Sequence, residues 1–277
     1  MKKNKLIAPF LKWVGGKRQL MPAINELLPK KYTTYYEPFI GGGAVLFEIQ
    51  PKKAIINDFN SELVNTYNVI KNSPEELIED LKTHVNESDY FYQIRALDRQ
   101  DSFEELSSIK KASRIIYLNK TCYNGLYRVN NSGEFNSPFG KYKNPNIVNE
   151  ITIRAVSKFL NNNNITIING DFENAVKNIR KGAFVYFDPP YDPVSKSSNF
   201  TGYVQGGFNS FDQIRLRELC DKLDKKGVKF LLSNSATQFI LDQYSKYNIT
   251  FVRANRAINS DASKRGEVDE VLIRNYE

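Results

Sequence analysis

Apolar residues in this chain form short unbroken runs that alternate with stretches of helical periodicity. The runs are rich in Ile, Val, Phe and Tyr, which is the pattern of strands buried on both faces of a sheet. The predicted strands are 35–39, 54–57, 165–168, 183–187, 229–233, 249–252 and 270–275. Helical patterns lie between several of them, at 44–50, 172–179 and 211–225. Strands that alternate with helices predict an α/β fold with a largely parallel sheet.

Residues 62 to about 119 interrupt this alternation, because their helical patterns are not separated by a convincing strand. The predicted helices of this stretch are 62–71, 74–86, 90–97 and 103–119. The turn signal Asn131-Ser132-Gly133 follows, between alternating aromatic and polar positions, and predicts a β-hairpin near 123–136. We therefore expect an α/β domain formed by 1–61 and 148–277, and a helical recognition insert formed by 62–147. A helical cap that contacts no partner is the alternative.

Composition and charge suggest the kind of partner. With 277 residues, 41% of them hydrophobic, the chain can bury a sizeable core. The formal net charge is +8, and the basic residues concentrate in 1–31 and 110–143, whereas 68–109 is acidic. This asymmetry favours a polyanionic partner, with nucleic acid first. An ordinary basic surface without a partner is the alternative.

The sequence also disfavours several classes of protein. The only histidine is His84, so a histidine-dependent catalytic triad or a His-rich metal site is not expected. Cys122 and Cys220 lie far apart and match no metal spacing, which favours free thiols in a reducing cytoplasm. We find neither an apolar run of membrane-spanning length nor a signal-type segment, so we expect no export and no membrane insertion.

The motif Asp188-Pro189-Pro190-Tyr191 directly follows the predicted strand 183–187. Because proline lacks the N–H that a sheet needs, the strand must end at Asp188. Open α/β sheets bind their ligands at this carboxyl edge. A carboxylate, two carbonyl acceptors and an aromatic ring suit a flat base that carries an exocyclic amine. A strand-ending turn with a solvated Asp is the alternative.

A second motif, Glu37-Pro38-Phe39-Ile40-Gly41-Gly42-Gly43, lies at a predicted strand-to-helix junction. Small residues at such a junction let a ligand approach the backbone. The next strand ends at Asp58, at the spacing of the acid that binds ribose in nucleotide sites. A full dinucleotide fingerprint is absent, because Leu46 stands where the third glycine would fall.

Three further segments allow two interpretations each. In Gly170-Asp171-Phe172 the acid and the ring either contact an adenine or serve as a helix N-cap and a core residue. Lys12-Trp13-Val14-Gly15-Gly16-Lys17 is either a buried anchor beside a basic turn or a flap over a cofactor whose carboxylate pairs with Lys17. The basic segment from Asn255 to Gly266 either clamps phosphates or forms a solvated loop.

In chain order, the segments 12–17, 37–43, 57–58 (Asn57-Asp58), 123–126 (Tyr123-Asn124-Gly125-Leu126), 170–172 and 188–191 together resemble the Dam-type DNA adenine-N6 methyltransferases. The resemblance extends over nearly the whole chain. It implies a Rossmann-like sheet that binds S-adenosylmethionine, with an inserted helical DNA-recognition domain that carries the β-hairpin. It further implies methylation of adenine N6 in double-stranded DNA at GATC, after flipping of the base, in the cytoplasm and without a metal. The resemblance is strongest to restriction–modification enzymes, which implies a cognate restriction endonuclease that shares the site.

The resemblance also assigns roles to individual residues. The catalytic residues would be Asp188, Pro189, Pro190 and Tyr191. The cofactor would contact Trp13, Lys17, Phe39, Gly41, Gly43, Asp58, Asp171, Phe172 and Asp188. The DNA would contact Tyr123, Asn124, Leu126, Arg128, Pro138 and Lys141. Lys141 stands where family members often have Arg, and Lys cannot make the same bidentate contact.

Other functions remain open at this point. The same fold could modify cytosine N4, adenine in RNA or a protein amide, since those enzymes use variants of the motif at 188–191. A catalytically silent DNA-binding regulator is expected to have lost Asp188 or the glycine turn, and this chain keeps both. A dinucleotide oxidoreductase would leave 188–191 without a role.

Overall fold

The computed structural model describes residues 3–13, 15–17, 19–194, 207–255 and 267–277. The basic segment from Asn255 to Gly266, for which two interpretations were left open, lies outside the described residues except for Asn255. The described chain forms a seven-stranded sheet in the order β3-β2-β1-β4-β5-β7-β6. Strands β1 to β5 are parallel, whereas β7 runs antiparallel to both β5 and β6. The strands are β1 Tyr35–Glu37, β2 Lys53–Asp58, β3 Asn164–Asn169, β4 Phe184–Phe187, β5 Lys229–Ser235, β6 Asn248–Asn255 and β7 Glu267–Arg274. All seven predicted strands and the α/β class are thus confirmed.

Helices cover the sheet and fill the stretch after β2. The α-helices of the described residues are α1 Met21–Leu27, α2 Ala44–Ile49, α3 Ser61–Asn72, α4 Pro74–Lys82, α5 Ser88–Ala96, α6 Ser108–Thr121, α7 Glu150–Asn162, α8 Phe172–Ala175, α9 Ser210–Lys225 and α10 Gln238–Gln243. The helices predicted at 44–50, 172–179 and 211–225 are confirmed as α2, α8 and α9, although α8 is shorter than predicted. The four predicted helices of the insert correspond to α3–α6 with shifted ends. Helices α1, α7 and α10 were not predicted.

Alternating side chains of the central strand divide the core into two layers. Phe184 and Tyr186 of β4 belong to one apolar cluster, and Val185 and Phe187 belong to the other. The first cluster continues without interruption into α3, α4, α5 and α6, for example through Ile115. The second packs α8, α9 and α10 against the opposite face of the sheet. The helices of the insert therefore share a core with the sheet, and the division into 1–61 with 148–277 and 62–147 stays a prediction.

The predicted β-hairpin near 123–136 takes a reduced form. Val129 and Phe135 make an isolated antiparallel bridge, and none of the described residues from 123 to 139 belongs to a strand. Residues 123–125 form a 3₁₀ turn in which Asn124 has φ 56°. The Asn130 carboxamide oxygen accepts the N–H groups of residues 132 and 134, both at 3.0 Å. Such side-chain bonds compete with the backbone ladder, so an antiparallel turn forms in place of two regular strands.

No helix among the described residues has the length and apolar character needed to cross a membrane.

Candidate active site

The acids of the sequence motifs meet at the carboxyl edge of the sheet. Because β1, β2 and β4 are parallel neighbours, their ends bring together the glycine turn after Glu37, the carboxylate of Asp58 and the motif that begins at Asp188. The strand β3 adds Gly170 and Asp171 on the outer side of β2. This arrangement confirms that these motifs lie at one edge of the sheet, where open α/β sheets bind ligands.

Asp188 is held at one of its two carboxylate oxygens. Oδ1 accepts hydrogen bonds from Lys17 Nζ at 2.8 Å and from Ser233 Oγ at 2.9 Å. In the described part of the chain, Oδ2 has no hydrogen-bond partner, and the side chain is 21% exposed. Burial raises the pKa of Asp188, and the Lys17 ammonium opposes this rise by stabilising the carboxylate. The site therefore contains an oriented carboxylate with one oxygen open.

Lys17 is buried in the centre of this arrangement. Its side chain is 5% exposed, and Nζ donates to the carbonyl oxygen of Gly15 at 2.6 Å as well as to Asp188. The ammonium also lies over the ring of Tyr191, 4.8 Å from its centroid. Lys17 thus pairs with the acid at the end of β4, a contact that the sequence did not reveal. Its predicted contact with a cofactor stays a prediction.

The two proline carbonyls of the motif differ in their surroundings. Pro190 O accepts a hydrogen bond from Gln213 Nε2 at 2.9 Å. Pro189 O accepts none from the residues that the structure describes. Next to them, the Tyr191 hydroxyl donates to Glu270 Oε2 at 3.0 Å. Burial, with the nearby carboxylates of Asp188 and Glu270, raises the pKa of Tyr191 well above its ordinary value, so the phenol stays protonated.

The glycine turn is closed by protein groups on two sides. The Gly41 N–H donates to Asp58 Oδ2 at 2.9 Å, and the backbone N–H of Asn60 donates to Oδ1 at 2.9 Å. Gly43 has φ +72°, and a Cβ there would lie 2.5 Å from Tyr67 Oη, so only glycine fits. Burial raises the pKa of Asp58, and the backbone N–H groups around its carboxylate oppose this rise. The role predicted for Asp58 toward ribose is not tested by these contacts.

Asp171 and Phe172 both have structural partners. Asp171 Oδ1 accepts the N–H of Glu173 at 2.9 Å and so caps α8, and both of its oxygens accept from Arg215 Nη2 at 3.1 Å. Phe172 is buried and stacks on Phe39 with ring centroids 5.3 Å apart, while the Arg215 guanidinium lies 4.9 Å from its centroid. The structure thus shows the N-cap and the core ring, one of the two interpretations left open. Contacts of these residues with a cofactor stay predictions.

The predicted DNA-contacting residues lie in and around the turn that follows α6. Tyr123 is 58% exposed, and its N–H donates to Pro138 O at 2.8 Å. Arg128 is held by Asn136, whose Oδ1 accepts from Arg128 Nε at 2.6 Å. An open cavity of about 470 Å³ is lined by Arg128, Val129, Asn130, Asn131, Ser132 and Asn136. Leu126 is half-buried, whereas Lys141 is exposed and has φ 53°.

Trp13 joins this turn to the glycine turn. Its ring stacks on Tyr127 at 4.8 Å with an interplanar angle of 22°. It also lies against the glycines, since a Cβ on Gly41 would be 2.8 Å from Trp13 Cδ1. Asn119 adds a second connection, because its side chain bonds the N–H and the carbonyl of Lys12 and the carbonyl of Gly125.

Sequence reasoning missed several residues that hold the site. Four of them belong to no predicted motif, namely Ser233, Gln213, Arg215 and Asn119. Tyr127 lies within the predicted hairpin near 123–136, but its stacking on Trp13 was not predicted. Ser233 lies at the end of β5, next to the end of β4, so its position was open to prediction once the strand order was known. The others lie on helices or turns, and the sequence alone does not specify which neighbouring element their side chains contact.

Comparisons with known proteins agree with this arrangement. The family model for the D12 class N6 adenine-specific DNA methyltransferase matches residues 13–258. A type II methyltransferase of Lactococcus lactis subsp. cremoris is 48% identical over 279 residues, which cover 100% of this chain and 98% of that protein. A type II methyltransferase of Methanocaldococcus jannaschii is 44% identical over 290 residues, which cover 98% of this chain and 99% of that protein. A DNA adenine methylase of Serratia marcescens is 36% identical over 277 residues, covering 98% of each chain.

Proposed function

Because the chain belongs to the D12 class of N6 adenine-specific DNA methyltransferases, we propose that it methylates adenine N6 in duplex DNA at GATC, after the base has flipped out of the helix. The family makes the chain an adenine-specific DNA methyltransferase, which removes the alternatives of a cytosine, RNA or protein substrate, a silent regulator and an oxidoreductase. It also implies S-adenosylmethionine as the methyl donor.

The chemistry of the residues at the sheet edge fits this donor. The carboxylates of Asp58 and Asp171 are acceptors for hydroxyl and amine groups, and Phe39 and Phe172 provide aromatic surface beside a turn without side chains. When bound, S-adenosylmethionine supplies an electrophilic methyl carbon on a sulfonium. Trp13, Lys17, Gly41 and Gly43 are the other residues that we propose to hold it. Asp188, although also expected to contact it, acts mainly on the base.

The observation that carries the proposal is the pair of open acceptors in the motif at 188–191. The amine of adenine has two N–H groups, and its lone pair is delocalised into the ring. We propose that Asp188 Oδ2 and Pro189 O accept these two N–H bonds, which favours a tetrahedral nitrogen and frees the lone pair. Lys17 and Ser233 fix the other carboxylate oxygen, so Oδ2 is oriented before the base arrives. Asp188 Oδ2 is also the atom suited to take the proton that the nitrogen loses after methylation.

Tyr191 would bind the face of the base. Taking a base out of the stack costs a few kcal/mol. Aromatic stacking on a base contributes about 1–3 kcal/mol, which offsets much of this cost. The Lys17 ammonium already lies over one face of the Tyr191 ring, so we propose that the base stacks on the opposite face. Pro190, whose carbonyl is bound to Gln213, shapes the pocket without contacting the amine.

DNA recognition is assigned to the insert 62–147, with 1–61 and 148–277 as the catalytic domain. The exposed Tyr123 of the insert, together with Asn124 and Leu126, would either wedge into the duplex or contact its bases. Arg128 and Pro138 would contact bases that specify the target sequence. Arg128 is supported in this role by its fixed orientation on Asn136 at the edge of the open cavity. Lys141 would contact a phosphate, since its ammonium acts as a point charge rather than a fork.

The biological setting is part of the same proposal. Two of the relatives above are named type II methyltransferases. We therefore propose that the protein acts in the cytoplasm, protecting GATC sites from a cognate restriction endonuclease that need not bind the methyltransferase.

The test measures transfer of labelled methyl groups from S-adenosylmethionine to two duplexes, one with a single GATC and one with its adenine replaced. We expect label only in the first duplex. Label in both would refute the GATC assignment while leaving methyl transfer intact. Label in neither, with the cofactor still bound, would refute the proposed reaction. The variant Asp188→Ala serves as the control for transfer that does not depend on this site.

A further inference from the structure

Two buried amide side chains hold the loop that follows Pro189. Gln213 on α9 and Asn234 on β5 are 1% and 0% exposed. Gln213 Nε2 donates to Pro190 O at 2.9 Å, and Asn234 Nδ2 donates to Gln213 Oε1 at 3.1 Å. Asn234 Oδ1 accepts the N–H of Asp192 at 3.0 Å. The two amides thus form a closed chain of hydrogen bonds between the carbonyl at one end of the loop and the N–H at the other.

The direction of this chain of bonds is determined by the backbone. Asn234 Oδ1 accepts two backbone N–H groups, from Asp192 and from Ser235 at 2.9 Å. Its nitrogen must therefore be the donor toward Gln213, which must present its oxygen to Asn234 and its nitrogen to Pro190 O. The amide of Gln213 accepts on one side and donates on the other, which a carboxylate in its place cannot do.

This chain of bonds matters because the loop cannot be held by a sheet ladder. Pro189 and Pro190 have no N–H, so the backbone offers no donor between Asp188 and Tyr191. The bond from Gln213 engages the carbonyl of Pro190 and fixes the rotation of that peptide. The preceding carbonyl, Pro189 O, has no bond to any described residue and belongs to the residue that directly follows Asp188.

We infer that Gln213 and Asn234 are positioning residues for methyl transfer, which set the orientation of the Pro189 carbonyl toward the target amine. This inference rests on the proposed function, since it assumes that Pro189 O accepts an N–H of adenine. The two amides touch neither the base nor the donor and act only through the backbone of the loop. They should therefore affect the rate of methyl transfer much more than the affinity for S-adenosylmethionine or DNA.

The variant Gln213→Glu tests this inference with little change of shape. A carboxylate cannot donate to Pro190 O, so we expect the single-turnover rate to fall about 100-fold at a pH above the pKa of the introduced carboxyl, which burial at this position raises. The Kd values for S-adenosylmethionine and for DNA should stay within about twofold. The ratio of the variant rate to the wild-type rate should rise as the pH falls, because a protonated Glu regains an O–H donor. The variant Gln213→Met, which has no charge and no donor, should be equally slow and should not recover at low pH.

A matched control is available at the opposite end of β5. Asn275 makes the same kind of contacts there, since Oδ1 accepts from the Phe230 N–H at 2.8 Å and Nδ2 donates to Val228 O at 2.9 Å. Asn275→Asp should lower the thermal midpoint and leave the single-turnover rate unchanged.

Wild-type rates in both Gln213 variants would overturn the inference. Rates that fall only in proportion to the loss of folded protein would also overturn it. The same holds if the ratio of the Gln213→Glu rate to the wild-type rate does not change with pH. A wild-type enzyme that transfers no methyl group would refute the proposed function instead, so the two failures are distinguishable.

Discussion

Replacing Lys17 by Met should move the acidic limb of the pH–rate profile to higher pH. Asp188 must be ionised for Oδ2 both to accept the N–H bond strongly and to take the proton of the amine, so methyl transfer is lost as the pH falls through the Asp188 pKa. Burial raises that pKa, and the ammonium 2.8 Å away opposes the rise. An opposite charge at such a distance lowers a carboxyl pKa by about 1–3 units, which corresponds to about 1.4–4 kcal/mol. Without the ammonium, the acidic limb of the profile should therefore move to higher pH by about 1–3 pH units.

The assay is the single-turnover rate of methylation over a range of pH, with S-adenosylmethionine and DNA both saturating. Lys17→Arg is the control, because it keeps the positive charge and should keep the limb near its wild-type position. At alkaline pH the Lys17→Met variant should approach the wild-type plateau, since Asp188 is ionised there. A limb that stays in place or moves to lower pH would refute the electrostatic role of Lys17. A rate that is reduced equally at every pH would show that Lys17 acts on another step.

Three further substitutions test the catalytic acid and the supports of the site. Asp188→Ala should abolish turnover while equilibrium binding of S-adenosylmethionine is mostly kept, and wild-type-like turnover would refute the mechanism. Arg114→Met should lower the free energy of unfolding by about 3–5 kcal/mol in urea titrations, because it removes the buried guanidinium that pairs with Asp98 at 2.6 Å and donates to the carbonyls of Ile94 and Arg95; an unchanged midpoint would contradict this. Gly43→Ala should cost about 1–3 kcal/mol by the same measurement, because its backbone is left-handed and Tyr67 Oη occupies the space of the new Cβ; equal stability would show that the turn can relax.

The strands were predictable because each contains a run of apolar or β-branched residues with a clear end. The run before Asp188 is the clearest case, since two prolines stop it and both faces of β4 are covered by apolar clusters. Helix α7 was missed although Ile153, Val156 and Leu160 have helical spacing, because the asparagines around it read as a loop. The hairpin near 123–136 was predicted too regular, since the Asn130 side chain takes N–H groups that two strands would have shared.

The site was predictable at its acids and much less at their partners. Sheet topology alone brings Asp58 and Asp188 to one edge, since parallel neighbours end together. The pairing of Lys17 with Asp188 depends on how the segment before α1 folds over the sheet, and no periodicity encodes that path. The contact of Gln213 with Pro190 likewise depends on the rotation of α9 about its axis. Helical spacing places Gln213 on the same face as the buried Leu216 and Cys220, so its burial was open to prediction, but its partner was not.

The stacked Trp13 is an intrinsic fluorescent probe of the site. It is the single tryptophan of the chain, so light absorbed and emitted by indole comes from one place. That ring contacts the glycine turn and also stacks on Tyr127, in the segment assigned to DNA recognition. Any ligand that reorders either side changes the environment of one fluorophore. The cofactor and the duplex can be titrated one at a time, and the tryptophan emission should then report each binding event without a dye or a tag.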